Sequence, residues 1–246
     1  MTESEWVSGE DPDSILEFLG GRVSERKLQL FACGCCRALV WHLLPGGRSR
    51  RVVELAERYA DGGIDRTRMV VAYHDAWRAA EAAWDAAVDS NDLSEAAAAN
   101  ARVAAAWSVI DCATARLTDP DPVTTVGNVL RAAAKAVHCA AHGEETADRG
   151  TVRDAVRTQW TDVLHDVVGN PFRPRVAVRP AWLTHGGLVF ALARCIYEER
   201  AFDHLPVLGD ALEDAGCDDV DLLGHLRSPG PHFRGCWALD LILGKT

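Results

Sequence analysis

Two alanine-rich segments decide the fold of this chain: YHDAWRAAEAAWDAA (residues 73–87) and VAAAWSVIDCATARL (residues 103–117). In each segment, large or apolar residues recur at steps of 4, 3, 4 and 3 residues, which is the spacing of one face of an α-helix. The polar stretch DSND (residues 89–92) between them is typical of a turn. We therefore predict an antiparallel helical hairpin.

Three tryptophans stand in these helical stripes: Trp77, Trp84 and Trp107. An aromatic stripe on a helix most often belongs to a core, because each ring removes a large apolar area from water. We expect the three indoles to be buried against one another, in helices of about residues 73–89 and 93–117. On that basis Trp84→Ala would cost roughly 3–5 kcal/mol.

The rest of the chain also shows helical periods of three and four, separated by glycine and proline stops. The predicted fold class is all-α: a multi-helix bundle containing the hairpin, followed by a C-terminal set of shorter helices. The sequence TDPDP (residues 118–122) breaks the pattern, since a residue before proline avoids helical geometry. We predict a helical bundle over residues 1–118 and a C-terminal helical region over residues 123–246, with one continuous domain as the alternative.

One segment has a different pattern. Prolines are spaced through residues 171–182, which predicts an extended crossing segment. It carries Arg173, Arg175 and Arg179, whose guanidinium groups suit a carboxylate, a phosphate or an acidic partner helix. Alternatively these arginines pair with the chain's own acidic residues, such as the string from Glu213 to Asp221.

Composition limits the classes of partner. The chain has 246 residues, with 26 Lys+Arg against 36 Asp+Glu, a net charge of −10. Such an acidic balance argues against nucleic acid and anionic membrane as partners. No basic and apolar leader and no run of about 18 apolar residues is found. We expect a cytoplasmic protein with reduced cysteines and no membrane span.

Four candidate metal ligands stand close together near the C-terminus: Cys217, His225, His232 and Cys236. Their spacing, C-x7-H-x6-H-x3-C, matches no common zinc finger, although a Cys₂His₂ set suits tetrahedral zinc. The alternative is structural caps and core packing without a metal or any other cofactor, and this is the arrangement we expect.

In that metal-free arrangement Cys236 packs among leucines, and His225 bonds a carbonyl group near the end of its own helix. We expect His232 in the first turn of the last helix, where the helix dipole disfavours a protonated ring. His232 should then be neutral at pH 7.

Several phrases of the sequence resemble a known family. They are LFACGCCR (residues 30–37), GNPFRP (169–174), DALEDAGC (210–217) and HFRGCW (232–237). In these phrases the chain is similar to an uncharacterised family common in planctomycete-type bacterial genomes. The resemblance implies a bacterial cytosolic protein, and it implies no activity and no catalytic residue.

No nucleophile elbow, P-loop or dinucleotide-binding motif occurs in the sequence. The predicted function is therefore a protein-interaction or regulatory module without catalysis, whose partner is another protein. The alternative is a metal-binding protein or metal-dependent hydrolase that uses the C-terminal cysteines and histidines. Whether those four side chains converge distinguishes the two.

Overall fold

A computed structural model describes residues 1–44, 46–88, 93–114, 122–141, 149–173, 176, 178–180, 182 and 187–245. Within these residues there are twelve α-helices and no β-strand, which confirms the all-α prediction. None of the described helices combines the length and the apolar character that a membrane span requires.

The helices follow one another in chain order, and those of the C-terminal part are the shorter ones. They are α1 (Glu3–Ser8), α2 (Pro12–Leu19), α3 (Glu25–Cys35), α4 (Gly46–Ala60), α5 (Arg66–Val88), α6 (Leu93–Thr114), α7 (Pro122–Ala141), α8 (Arg149–Val168), α9 (Leu188–Glu199), α10 (Leu205–Asp214), α11 (Val220–Arg227) and α12 (Trp237–Leu243). A π-helical turn (Cys36–Val40) extends α3, and a 3₁₀ turn (Phe202–His204) precedes α10.

Short polar side chains fix where several helices begin. The Asp11 carboxylate accepts the N–H groups of Asp13 and Ser14 at the start of α2. Ser24 caps α3 in the same way, and the Asp219 carboxylate accepts the Leu222 N–H at 2.8 Å at the start of α11. These side chains satisfy N–H groups that have no partner within the helix.

The described contacts divide the chain into two compact units, Met1–Val163 and Leu164–Thr246. From the sequence we predicted the division near residues 118–123. Helix α7 belongs to the first unit because its apolar face, which includes Val126, Val129 and Ala133, is buried and packs on α6.

The core of the second unit is formed by α9 to α12. Its fully buried side chains come from every one of these helices and include Ile196, Leu205, Leu208, Leu212, Leu222, Leu226, Cys236 and Leu239. This core positions the loop between α11 and α12, which carries the candidate site.

The hairpin consists of α5 and α6, but its seam differs from the prediction. Trp77, Trp84 and Trp107 are 37%, 55% and 36% exposed, so the expectation that they are buried together is wrong. The buried faces carry alanines instead, for example Ala76 and Ala80 on α5. Small residues let two helix backbones approach closely, and the larger rings are then displaced to the flank of the seam.

The proline-containing segment forms no strand in its described residues, which are 171–173, 176, 178–180 and 182. Arg175 lies outside the described residues. Arg173 forms an ion pair with Asp221. Arg179 forms a second ion pair, with Asp218 at 3.2 Å.

In both pairs the carboxylate belongs to the acidic string between Glu213 and Asp221. This is the pairing with the chain's own acidic residues that the sequence offered as an alternative. All four side chains are more than half exposed, and such surface pairs contribute little to stability.

Candidate metal centre

Four potential metal ligands converge in the second unit: Asp166, His225, His232 and Cys236. One ligand atom from each lies within 4.8 Å of the other three. Among the described residues, these four side chains form the cluster of histidine, cysteine and acidic groups whose geometry could hold a metal ion.

Different elements contribute the four side chains. Asp166 lies in the last turn of α8, and His225 lies in the last turn of α11. His232 belongs to the loop that follows α11, and Cys236 is the residue immediately before α12. A metal ion at this point would therefore connect two helices and a loop.

The ligand atoms are close to the spacing of a tetrahedral centre. The Nδ1 atom of His232 is 2.7 Å from Oδ1 of Asp166. The Nε2 atom of His225 is 3.2 Å from the same oxygen and 3.1 Å from Sγ of Cys236. Zinc–ligand bonds of about 2.0–2.3 Å separate tetrahedral ligand atoms by about 3.3–3.8 Å. These three separations are shorter than the edges of a zinc tetrahedron, by up to about half an ångström, and would lengthen around a bound ion.

Other groups orient the ligands from outside. The Phe233 N–H donates to Oδ2 of Asp166 at 2.7 Å, so that Oδ1 is the oxygen left facing the centre. The Nε2 atom of His232 is 3.3 Å from the Ser228 carbonyl oxygen. Because a carbonyl only accepts, this Nε2 carries a proton. Without an ion, Nδ1 also donates, to the Asp166 carboxylate, and a metal bound at Nδ1 would replace that proton. Such contacts to the outer atom of a ligand are typical of metal centres.

The centre is buried and contains charged groups. The side chains of Asp166 and His232 are 3% and 5% exposed, and that of His225 is 17% exposed. Burial alone would raise the pKa of Asp166, but the hydrogen bonds and charges of the two histidines outweigh it and lower the pKa. A buried carboxylate of this kind needs a positive partner, either an imidazolium or a metal ion.

His232 differs from the sequence prediction. Helix α12 begins only at Trp237, so His232 stands in the loop and not at a helix N-terminus. Burial would lower its pKa, but the hydrogen bond and the charge of Asp166 outweigh this and raise the pKa. The argument for a neutral His232 is therefore wrong in its premise and in the direction of its pKa shift.

A tryptophan closes one side of the centre. The Trp237 ring lies 5.0 Å from the His225 ring, centroid to centroid, and His225 lies 5.0 Å from His232. Gly169, which follows α8, also packs on the Trp237 ring: a Cβ atom at Gly169 would lie 3.1 Å from the indole. The glycine permits Trp237 to pack where it limits the movement of His225.

Two catalytic arrangements can be tested against this geometry. A Ser228–His232–Asp166 triad would need a serine hydroxyl that donates to Nε2, which is 3.4 Å away. The Ser228 hydroxyl instead donates to the His225 carbonyl at 2.7 Å, and Nε2 faces a carbonyl oxygen. The triad geometry is therefore absent here.

A Cys236–His225–Asp166 triad fails for a different reason. In such a triad the base uses one ring nitrogen for the nucleophile and the other for the carboxylate. In this centre the same atom, Nε2 of His225, faces both Cys236 and Asp166. Several donors around one point are the pattern of a metal centre.

Of the four ligands predicted from sequence, the structure brings together His225, His232 and Cys236, but not Cys217. Cys217 follows Gly216, and it is buried in the core of the second unit at 4% exposure. His225 was expected to bond a carbonyl near its own helix end, but its Nε2 faces Asp166 and Cys236. Cys236 does belong to the same buried core as the expected leucines.

The sequence reasoning missed Asp166. One signal was present: the residue lies in the last turn of a helix, where the negative end of the helix dipole disfavours a carboxylate. An acid in that position needs a positive partner from elsewhere in the fold. Its partners are 59 and 66 residues further along the chain, so no local spacing could reveal them.

The other cysteine-rich segment shows no comparable geometry. Cys33, Cys35, Cys36 and Cys112 are fully buried in the first unit. The Sγ atoms of Cys33 and Cys112 are 3.3 Å apart, and burial raises the pKa of Cys35 well above its usual value. These thiols pack as small apolar side chains.

Comparison with protein-family models, with curated proteins and with solved structures gives no match to this chain. The resemblance to the planctomycete-type family therefore stays a prediction.

Proposed function

We propose that this chain is a zinc-binding protein in which Asp166, His225, His232 and Cys236 hold one ion. The observation that carries the proposal is the convergence of four ligand atoms within 4.8 Å. The second oxygen of Asp166 and the second ring nitrogen of His232 face away from this point and are hydrogen-bonded to the Phe233 N–H and the Ser228 carbonyl group. Two imidazole nitrogens, a thiolate and a carboxylate are donors that zinc accepts in tetrahedral sites. The thiolate disfavours magnesium and calcium, which prefer oxygen donors.

The role of the ion is structural. Four protein ligands complete a tetrahedron, whereas a metal-dependent hydrolase keeps one coordination position open for water or substrate. The ion would fasten the loop of residues 228–236 to α8 and α11, and so stabilise the second unit. This proposal keeps the chain non-catalytic. A thiolate ligand also agrees with a cytoplasmic location, because that compartment keeps thiols reduced.

Elemental analysis and native mass of the full purified chain test the proposal. We expect one zinc per chain, and we expect Cys236→Ser to lose it. Cys217→Ser is the matched control, since it alters a buried cysteine of the same unit outside the centre. Circular dichroism checks that both variants remain helical.

Cobalt provides a second readout. Cobalt bound in place of zinc should show a thiolate-to-metal charge-transfer band in the native chain and in Cys217→Ser, and no such band in Cys236→Ser. Zinc retained by Cys236→Ser, or absent from the native chain after refolding with excess zinc, would overturn the proposal.

A further inference from the structure

A surface on the first unit carries three exposed tryptophan rings and one half-buried tyrosine. We call it the aromatic flank: Tyr73, Trp77 and Trp84 on α5, and Trp107 on α6. The three tryptophans are between 36% and 55% exposed. Residues at steps of four and seven lie on one side of a helix, so the three rings of α5 form a single row. Large exposed apolar surfaces on a soluble protein commonly mark an interaction site.

The rings of the aromatic flank are ordered with respect to one another. The Trp77 and Trp107 rings stand nearly perpendicular, at 87°, with centroids 5.1 Å apart. Tyr73 lies 6.3 Å from Trp77 and continues the row. Two perpendicular indoles form a corner in which an incoming group can meet one ring by its face and another by its edge.

Acidic groups accompany the rings. Asp111 follows Trp107 by one turn, and Glu81 follows Trp77 by one turn. In the antiparallel pair, the contact between Trp77 and Trp107 brings Tyr73 and Asp111 to the same level. Burial raises the pKa of Asp111 to about 6, opposed only in part by the positive charge of Arg131. The Asp111 carboxylate, which already experiences the positive charge of Arg131, adds negative charge beside the rings.

We propose that the aromatic flank binds arginine or lysine side chains from a basic segment of a partner protein. Cations are attracted to the faces of tryptophan and tyrosine rings. The net charge of −10 gives the long-range attraction that such a segment requires.

The chain itself uses the same contact internally. The Arg37 guanidinium lies 4.3 Å from the Trp41 ring centre, and that of Arg234 lies 4.6 Å from the Tyr197 ring centre. The aromatic flank carries rings of the same two kinds, tryptophan and tyrosine.

Binding of two synthetic peptides to the full chain tests this inference. One is a twelve-residue peptide that alternates arginine with glycine or serine. The other replaces each arginine by citrulline, which keeps the shape and removes the charge. Fluorescence anisotropy of a labelled peptide measures affinity, and we expect the arginine peptide to bind about tenfold or more tightly than the citrulline peptide.

Variants locate the binding surface. Trp107→Leu keeps an apolar side chain but removes the π face, and we expect it to weaken binding of the arginine peptide about tenfold. Asp111→Asn should weaken it severalfold. Val71→Ala is the matched control: Val71 is 56% exposed on α5, but it points about 120° away from Trp77 around the helix. Its affinity should equal that of the native chain.

Three outcomes would overturn the inference: no measurable binding, equal affinity for the two peptides, or unchanged affinity in Trp107→Leu. Sedimentation that shows a dimer dissociated by Trp107→Leu would assign the aromatic flank to a second copy of the chain instead. Zinc content should be unaffected by Trp107→Leu, so a failure here is distinguishable from a failure of the zinc proposal.

Discussion

Replacing Gly169 by alanine should damage the second unit by two separable effects. Gly169 has φ of +75°, a conformation that costs a non-glycine residue about 1–2 kcal/mol. The added Cβ would also lie 3.1–3.4 Å from three atoms of the Trp237 ring. Moving that ring off its preferred rotamer costs about 1 kcal/mol more. We expect Gly169→Ala to lower the free energy of unfolding by about 2–3 kcal/mol.

Gly216→Ala separates the backbone effect from the packing effect. Gly216 has φ of +84°, and no atom lies within 4 Å of the position that a Cβ would take. This variant should therefore lose only the backbone contribution, about 1–2 kcal/mol. Urea unfolding followed by circular dichroism, with both variants and the native chain free of metal, measures the difference.

The same pair of variants tests the connection to the metal centre. Because Trp237 packs on His225, we expect Gly169→Ala to weaken zinc affinity about tenfold, the usual effect of disturbing a group that supports a ligand. Gly216→Ala should leave zinc affinity unchanged in a competition titration with a chromophoric chelator. Equal losses of stability in the two variants, or equal zinc affinities, would refute the argument about Trp237.

Three further predictions concern the first unit. Folding raises the pKa of Asp111 to about 6, so this group lowers the free energy of unfolding as the pH rises from about 4 to 6, and the loss persists above pH 6. Asp111→Asn should therefore raise the free energy of unfolding at pH 7 by about 1 kcal/mol, a value discounted for partial exposure, and should flatten the pH dependence of stability between pH 4 and 6. Trp84→Ala should lower the free energy of unfolding by only about 1 kcal/mol, because Trp84 is 55% exposed. Trp6 is 0% exposed, so Trp6→Ala should lower it by about 3–5 kcal/mol, measured by thermal or urea unfolding. Arg37→Met leaves the buried Glu57 carboxylate without its bidentate partner and should cost about 3–5 kcal/mol in urea unfolding, much of it recovered by adding Glu57→Met.

The sequence was a good guide to the helices and a poor one to their faces. Caps and glycine stops are local: Asp11 and Ser24 cap the starts of α2 and α3, and Gly244 ends α12. The face that a helix buries depends on its neighbours. In the hairpin, both the tryptophans and the alanines recur with helical spacing, and close approach of the backbones selected the alanines for the seam.

The candidate centre was predictable for the ligands that are close in sequence. His225 lies in the last turn of α11, and His232 and Cys236 lie in the loop that follows it, so a pattern of spacing could group them. Asp166 joins them only through tertiary structure. Cys217 was grouped with them by proximity in sequence, but it follows the helix-ending Gly216 into the apolar core.

The place where the second unit begins has a consequence for any fragment of this chain. The unit starts at Leu164, inside α8, and Asp166 lies before the break Gly169-Asn170-Pro171 that the sequence would suggest as a cutting point. A fragment cut there would keep two imidazoles and a thiolate but lose the carboxylate. In the zinc centre proposed above, the ion would then have three protein ligands and one exchangeable water, the arrangement found in hydrolytic zinc enzymes. For that proposal, truncation by a few residues changes the expected chemistry from structural to reactive.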